Sequence, residues 1–246
     1  MKVYLSSALM DLERLEDLKS AGFHGWEVIA EGRQSLNEEM ISLVEYATSS
    51  YGLEISVHAP FSDLNIASLN EPIWKESLRQ ISSTIEGLAN YVRVVVIHPG
   101  YVSPWAMLSP NEALEKNQRA LARLTLCGKE YGVRATIENM ANIDFLLGRF
   151  PDEIKAMFLD DLGFTFDVGH AHTARAVRSF LQMPIDHVHL HDNNGKTDDH
   201  LVLGSGSINW EQIMRALRRY KGIFVLESKT LDEGIQSLAY LRSISD

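Results

Sequence analysis

The chain has 246 residues, 45% of them hydrophobic and 23% charged, and a net charge of −10. This composition supports a sizeable buried core and excludes a disordered, collagen-like or disulfide-stapled protein, while the acidic balance leaves no global positive field to draw it to nucleic acid or an anionic membrane. Cys127 is the only cysteine, which excludes an internal disulfide and a thiolate-rich zinc site.

In chain order, eight segments rich in Val, Ile or Phe read as strands: Val3–Ser6, Gly25–Ile29, Leu53–His58, Val92–His98, Val133–Glu138, Gly163–Asp167, Ile185–His191 and Gly222–Glu227. Helical periodicity fills the stretches between them, for instance Leu12, Leu15 and Leu18, then Met40, Leu43, Val44 and Ala47, then Leu114, Ala120, Leu121 and Leu124. Gly22, Gly52, Gly132, Gly163 and Gly222 stand just before strands and are expected to stop the preceding helices. No linker or low-complexity tract interrupts the alternation. The prediction is an α/β fold, a single (β/α)8 TIM barrel over residues 1–246. An open doubly wound sheet fits less well, because no G-x-G-x-x-G stretch follows the first strand. The N-terminus has no apolar signal segment and no apolar run is long enough to span a bilayer, so the cytoplasm is the expected compartment.

Within the strands the side chains alternate. Val133, Ala135 and Ile137 share one parity and Arg134, Thr136 and Glu138 the other; Leu53, Ile55 and Val57 likewise oppose Glu54, Ser56 and His58. In a barrel the greasy face packs on the helices, so the polar face lines the lumen and its last member reaches the C-terminal mouth. Strands three to eight then end in His58, His98, Glu138, Asp167, His189 and Glu227. A single such histidine usually means a hydrogen-bonded core residue. Six metal-ligand types at one rim are explained more economically by a shared divalent cation, because unpaired buried carboxylates are costly. His170, Asp198 and His200 extend the set to nine, enough for one to three ions. The donors are imidazoles and carboxylates, suited to Zn²⁺, Mn²⁺, Fe²⁺ or Co²⁺, with Zn²⁺ or Mn²⁺ foremost. Glu138 and Glu227, from opposite sides of the barrel, are the candidate catalytic acid and base. Phe61 and Trp105 are candidates to line a sugar face. His24, His187 and His191 read as structural, with His187 in a supporting position below His189; Glu27 and Glu31 read as polar lining, and Arg33 and Lys196 as solvated surface.

The ordered motifs His98-Pro99-Gly100, Glu138-Asn139, Asp167-Val168-Gly169-His170, His189-Leu190-His191-Asp192-Asn193, Asp198-Asp199-His200 through Gly204-Ser205-Gly206, and Leu226-Glu227 resemble the xylose-isomerase-like TIM-barrel superfamily over nearly the whole chain. That superfamily contains sugar and sugar-phosphate isomerases and epimerases as well as endonuclease IV. The resemblance to the epimerase branch implies one divalent ion at the positions of Glu138, Asp167, His189 and Glu227, with the two glutamates exchanging substrate protons. The resemblance to the endonuclease branch implies a three-zinc cluster at His58, His98, Glu138, Asp167, His170, His189, Asp198, His200 and Glu227, all of which are present. Against that branch, Met140-Ala141-Asn142-Ile143 replaces its Ala-Gly-Gln-Gly stretch and Phe61-Ser62 its Tyr-Leu wedge; Gly204-Ser205-Gly206 replaces a Gly-Glu-Gly found in both branches. The expected function is a metal-dependent sugar or sugar-phosphate isomerase or epimerase. The alternatives are an endonuclease-IV-like phosphodiesterase, for which nucleic acid is the partner, and a non-catalytic ligand-binding barrel.

Overall fold

A computed structural model describes residues 1–244. Parallel strands β1 (Lys2–Ser6), β2 (Gly25–Ile29), β3 (Glu54–His58), β4 (Val92–Ile97), β5 (Arg134–Glu138), β6 (Gly163–Asp167), β7 (His187–Leu190) and β8 (Ile223–Glu227) close in sequence order into a barrel. The seam is β8 on β1, in register from Lys2↔Ile223 to Ser6↔Glu227. Around it run α1 (Leu15–Ala21), α2 (Glu38–Tyr51), α3 (Glu71–Leu88), α4 (Pro110–Tyr131), α5 (Pro151–Met157), α6 (Val168–Thr173), α7 (Val177–Phe180), α8 (Trp210–Ala216) and α9 (Leu231–Ser243). The expected TIM barrel is therefore the fold. No helix among the described residues is long and apolar enough to cross a membrane.

The core lies between sheet and helices. Val3, Leu5, Val28, Val57, Ile137 and Phe166 point outward from the strands and meet helix faces such as Trp74, Leu78, Ile81, Ile85 and Leu88 of α3, spaced three or four residues apart. Helix boundaries follow local chemistry. The Asn37 side chain accepts from Met40 N to start α2, Pro72 sits in the first turn of α3, and Thr230 Oγ1 accepts from Glu233 N to start α9.

Three of the five predicted helix stops behave as expected: Gly22, Gly52 and Gly132 cap α1, α2 and α4 at φ of 92°, 62° and 69°, a region closed to most side chains. Gly163 and Gly222 are not caps. Each is glycine for lack of room, since a Cβ at Gly163 would lie 2.7 Å from Thr136 Cγ2 and one at Gly222 would lie 2.2 Å from the Tyr220 hydroxyl. Strand ends also differ from the sequence reading. The fourth strand stops at Ile97, leaving His98 just beyond it, and the seventh spans His187–Leu190. Its neighbour β6 ends at Asp167, opposite His189, and the chain there turns into α6, so His191 has no partner on β6.

One irregularity decides a side-chain direction. Between β3 and β4 the register steps from Ile55↔Val92 to Val57↔Val95, so three residues of β4 span two of β3. Val92, Val95 and Ile97 pack in the outer core, and Val96 does not. Simple alternation from Val92 would turn His98 outward as well; the extra residue reverses the parity and puts His98 at the lumen.

Close approach at β2 yields a test. A Cβ on Gly25 would sit 2.3 Å from the Glu54 carbonyl oxygen and 2.7 Å from the Tyr4 ring. Gly25→Ala is expected to destabilise the barrel by about 1–3 kcal/mol, seen as a lowered urea midpoint at unchanged m; an unchanged midpoint would contradict this packing.

Candidate metal centre

At the C-terminal mouth the strand ends bring three donor groups together. Glu138, Asp167, His189 and Glu227 form one, His58, His98 and Glu138 a second, and His170, His191, Asp198 and His200 a third. Within each group the ligand atoms lie within 4.8 Å of one another. All nine ligand candidates from the sequence meet here, and the first group is the four-residue set expected to be primary.

Local structure aims these donors. Asp167 ends β6 and caps α6, its Oδ1 accepting from His170 N at 2.6 Å, while its buried Oδ2 has no hydrogen-bond partner. Asn139 fixes the same strand end by accepting from Asp167 N and donating to Asp167 O, both at 2.9 Å. His58 Nδ1 donates to the Ala59 carbonyl at 2.9 Å and His170 Nδ1 to the Asn139 carbonyl at 2.8 Å. A carbonyl only accepts, so both rings present Nε2 to the cluster. His58 Nε2 then lies 3.3 Å from Glu138 Oε2, and His170 Nε2 lies 3.2 Å from Asp198 Oδ2.

The loop after β7 is held by the buried Asp192, which accepts from Asn193 N, Gly204 N and Trp210 Nε1 at 2.8–2.9 Å. A Cβ on Gly206 would fall 2.3 Å from that carboxylate, which explains glycine there. The loop carries Asp198 and His200, the latter at φ +47°, a conformation unusual for a residue with a side chain.

The electrostatics follow from burial and pairing. Burial alone would raise the Glu138 carboxyl, but His189, His58 and His98 hold it well below its usual range. Burial works the same way at Glu227, which His189 and His200 draw down to about 2. Desolvation opposes charge on His189, yet Glu227, Glu27 and Glu138 hold it well above an ordinary imidazole. Asp167 and Asp198 outweigh desolvation to raise His170, and Asp198 and Glu227 do so for His200, to about 9. His98 is lowered, burial prevailing over Glu138. These carboxylates and imidazoles supply the donor chemistry of a divalent cation site, and the partnerless Asp167 Oδ2 beside His189, 4.0 Å from its Nδ1, fits a shared ion.

The mouth is a cavity of about 740 Å³, whose lining includes Ser6, Ser7, Phe61, Met140, Ala141, Ile143, Leu146 and Lys229 beside the donor residues. Phe61 rests against the rings of His98 and His58, at 4.4 and 5.0 Å. Glu31 secures its loop, accepting from Phe61 N at 2.9 Å and Ser62 N at 3.0 Å. Trp105 is 74% exposed and is not among the residues that line the cavity; it stands just before a 3₁₀ turn, Ala106–Leu108. Arg33 lines a separate groove with Met40 and Tyr46, and Lys196 is exposed.

Two residues carry more than the sequence assigned to them. His191 joins the third group, 0% exposed, with Nε2 3.2 Å from Asp167 and its ring stacked 3.8 Å over His200. Continuing the period of His187 and His189 by two would have flagged it. Gly169 makes its space, since a Cβ there would meet the His191 ring at 2.0 Å. Glu27 proves to be fully buried at the lumen floor, paired with His187 and His189.

Residues 15–244 match a family model described as a xylose isomerase-like TIM barrel. An uncharacterized protein of Methanocaldococcus jannaschii is 35% identical over 241 residues, covering 93% of this chain and 82% of that protein. A solved structure of a D-tagatose 3-epimerase-like protein is 34% identical and superposes with a TM-score of 0.93 over 99% of this chain and 97% of its own. A Thermus thermophilus protein, solved after soaking with zinc chloride, is 25% identical with a TM-score of 0.78, covering 100% of this chain and 98% of its own.

The raised imidazoles set the pH dependence of ion uptake. His189, His170 and His200 stay protonated to higher pH than free histidine, and each must lose a proton to ligate. Zinc affinity is therefore expected to rise between pH 6.5 and 9, the value near which His200 titrates. Calorimetry at pH 7 in buffers of different ionisation enthalpy should register proton release, about one or more per ion. Affinity that is flat with pH, with no proton released, would contradict the pairing described here.

Proposed function

The chain belongs to the xylose isomerase-like TIM-barrel family, and from that premise we propose that it is a divalent-metal-dependent sugar or sugar-phosphate isomerase or epimerase. The observation that carries this reading is the placement of two buried glutamates, Glu138 and Glu227, in one four-donor group with Asp167 and His189 at the floor of the mouth. The likeness to a D-tagatose 3-epimerase-like protein supports the same class of substrate. In this reading Glu138, Asp167, His189 and Glu227 hold the ion, zinc or manganese, and the neighbouring groups hold up to two more or bind substrate oxygens. A divalent ion there supplies Lewis acidity for the substrate's carbonyl and hydroxyl oxygens.

The chain's own residues do the rest. Glu138 and Glu227 are both ionised at neutral pH. One takes the proton from the carbon beside the carbonyl as that C–H electron pair moves toward the carbonyl oxygen; for isomerisation the same carboxyl gives that proton to the adjacent carbon, and for epimerisation the other glutamate takes a proton from water and gives it to the opposite face while the first releases its proton to water. Phe61, Met140, Ile143 and Leu146 form an apolar wall that keeps water from the reacting carbon. Lys229 is the only lysine or arginine lining the mouth among the described residues, which makes it the contact for a phosphate on the substrate. The reading places this work in the cytoplasm.

A second reading has its own observation. Three donor groups adjoin, two of them sharing Glu138, as a multi-ion phosphodiesterase requires. A duplex substrate, however, needs clustered lysines and arginines to neutralise its phosphates, and among the described residues the mouth of this chain of net charge −10 offers only Lys229 of these.

The metal-loaded protein in deuterated water is expected to place deuterium at the carbon beside the carbonyl of one or more members of a panel of ketoses, aldoses and their phosphates. Glu138→Gln and Glu227→Gln should each slow that exchange by about 10²–10⁴-fold. Cleavage of an abasic-site duplex, lost on chelation and unaccompanied by exchange into any sugar, would move the assignment to the phosphodiesterase. Metal uptake without either reaction would leave a ligand-binding barrel.

A further inference from the structure

The donors that ring the mouth leave one arc open. They come from β3, β5, β6, β7 and β8, from His98 just past β4, from α6 and from the loop after β7; β1 and β2 supply none to the three groups at the mouth. Over that arc the cavity is lined by Ser6, Ser7, Ala8, Leu9 and Ile29. Val3 and Leu5 pack in the outer core, so Ser6, the last residue of β1, takes the lumen side by alternation. Its register partners are Glu27 on β2 and Glu227 on β8. In the closed barrel β1 stands opposite β5, which sets Ser6 across the lumen from Glu138.

Ser6 is 1% exposed, and its Oγ has no hydrogen-bond partner. The backbone that carries it is tied on every side. Ser6 O accepts from Ser228 N at 3.0 Å, and Ser7 Oγ donates to the Lys229 carbonyl at 2.7 Å. The buried Gln34 donates to Ser7 O at 2.8 Å and accepts from Ile29 N at 3.0 Å. A hydroxyl fixed at a cavity wall and bonded to nothing costs stability unless a ligand completes it. Thr125 Oγ1 of α4 is also without a partner, but Thr125 is not part of the mouth's lining.

We propose that Ser6 is a specificity-determining residue whose Oγ hydrogen-bonds a neutral hydroxyl of the sugar, on a carbon beyond the reacting pair. This rests on the isomerase or epimerase reading of the mouth. With the reacting carbon between Glu138 and Glu227, the rest of the sugar has the open β1–β2 arc to occupy. A serine hydroxyl both donates and accepts, as a sugar hydroxyl does. The Glu227 carboxylate beside it on β8 repels an anion, and a phosphate has Lys229 instead. Ser7 has committed its hydroxyl, and Ala8, Leu9 and Ile29 have only apolar side chains, so Ser6 alone on this arc can require a hydroxyl at one particular carbon.

Ser6→Ala separates this role from a structural one. Because the hydroxyl bonds nothing within the chain, its removal should leave the urea midpoint unchanged or raised. Calorimetric titration of the zinc-loaded protein with the panel of ketoses, aldoses and their phosphates should show the tightest-bound sugar weakened by about 3–10-fold in the variant. The monodeoxy analogue lacking the recognised hydroxyl should bind wild type and variant alike, while the other monodeoxy analogues keep the difference. In exchange with deuterated water the same factor should appear in KM, with kcat little changed. A folded Ser6→Ala that binds every sugar as the wild type does would overturn the proposal. A lowered midpoint, or a loss shared equally by all the monodeoxy analogues, would overturn it too. Exchange by the wild type alongside any of these results leaves the isomerase or epimerase reading intact. The expected binding pattern without exchange keeps the Ser6 contact and removes that reading; a wild type that neither binds nor exchanges any sugar removes both.

Discussion

The carboxylate of Glu138 is the point on which the mouth of this barrel turns. It is 1% exposed, and ring nitrogens of His189, His98, His58 and His170 approach it to 3.0, 3.1, 3.3 and 3.6 Å. An ionised carboxylate alone in such a place would cost several kcal/mol. Histidines brought from β3, β7 and the residue beyond β4 keep it charged, and its charge in turn favours the protonated form of His58 and His189. Remove Glu138 and two of the three donor groups lose a member.

Around that centre, ordinary local structure is put to chemical use. Asp167 commits one oxygen to capping α6 and thereby leaves the other facing His189 without a partner. Asn139 ties β5 to β6 at the level of the site, and Asp192 gathers loop amides and an indole so that Asp198 and His200 return over the mouth. The left-handed backbone at His200 is tolerated because both flanks of its loop are anchored.

The lumen is graded from floor to mouth. Its floor is a closed ionic cluster of Glu27, His187 and His189; its rim joins the donor groups to an apolar wall that includes Phe61, Met140, Ile143 and Leu146. Under the proposed function, the polar atoms are concentrated where a substrate's oxygens would meet a cation, and the wall would limit water at the neighbouring carbon. Such a division suits chemistry that needs a charged, ordered centre and a dry approach to it.

Much of this was legible in the chain itself. Strand–helix alternation determined the barrel, because eight apolar strands that each need a covering helix have few other ways to bury both faces. Parity within strands determined that Glu138, Asp167, His189 and Glu227 would share one rim, since residues at lumen-facing strand ends converge when a parallel barrel closes. Tertiary structure decided the rest. The irregularity that turns His98 inward depends on the pairing of β4 with β3, which no count along β4 alone contains. His191 enters the third group because α6 begins where its partner on β6 would have been, and because Gly169 leaves room for the ring. Trp105 is left exposed, outside the lining of the cavity. Glu27 reads in the sequence as lining; only its distances to His187 and His189, contributed from 160 residues away, make it the counter-charge beneath the site. Periodicity reports which face of a strand a side chain takes, whereas contact across the lumen depends on closure of the whole barrel, and that is a property of three dimensions.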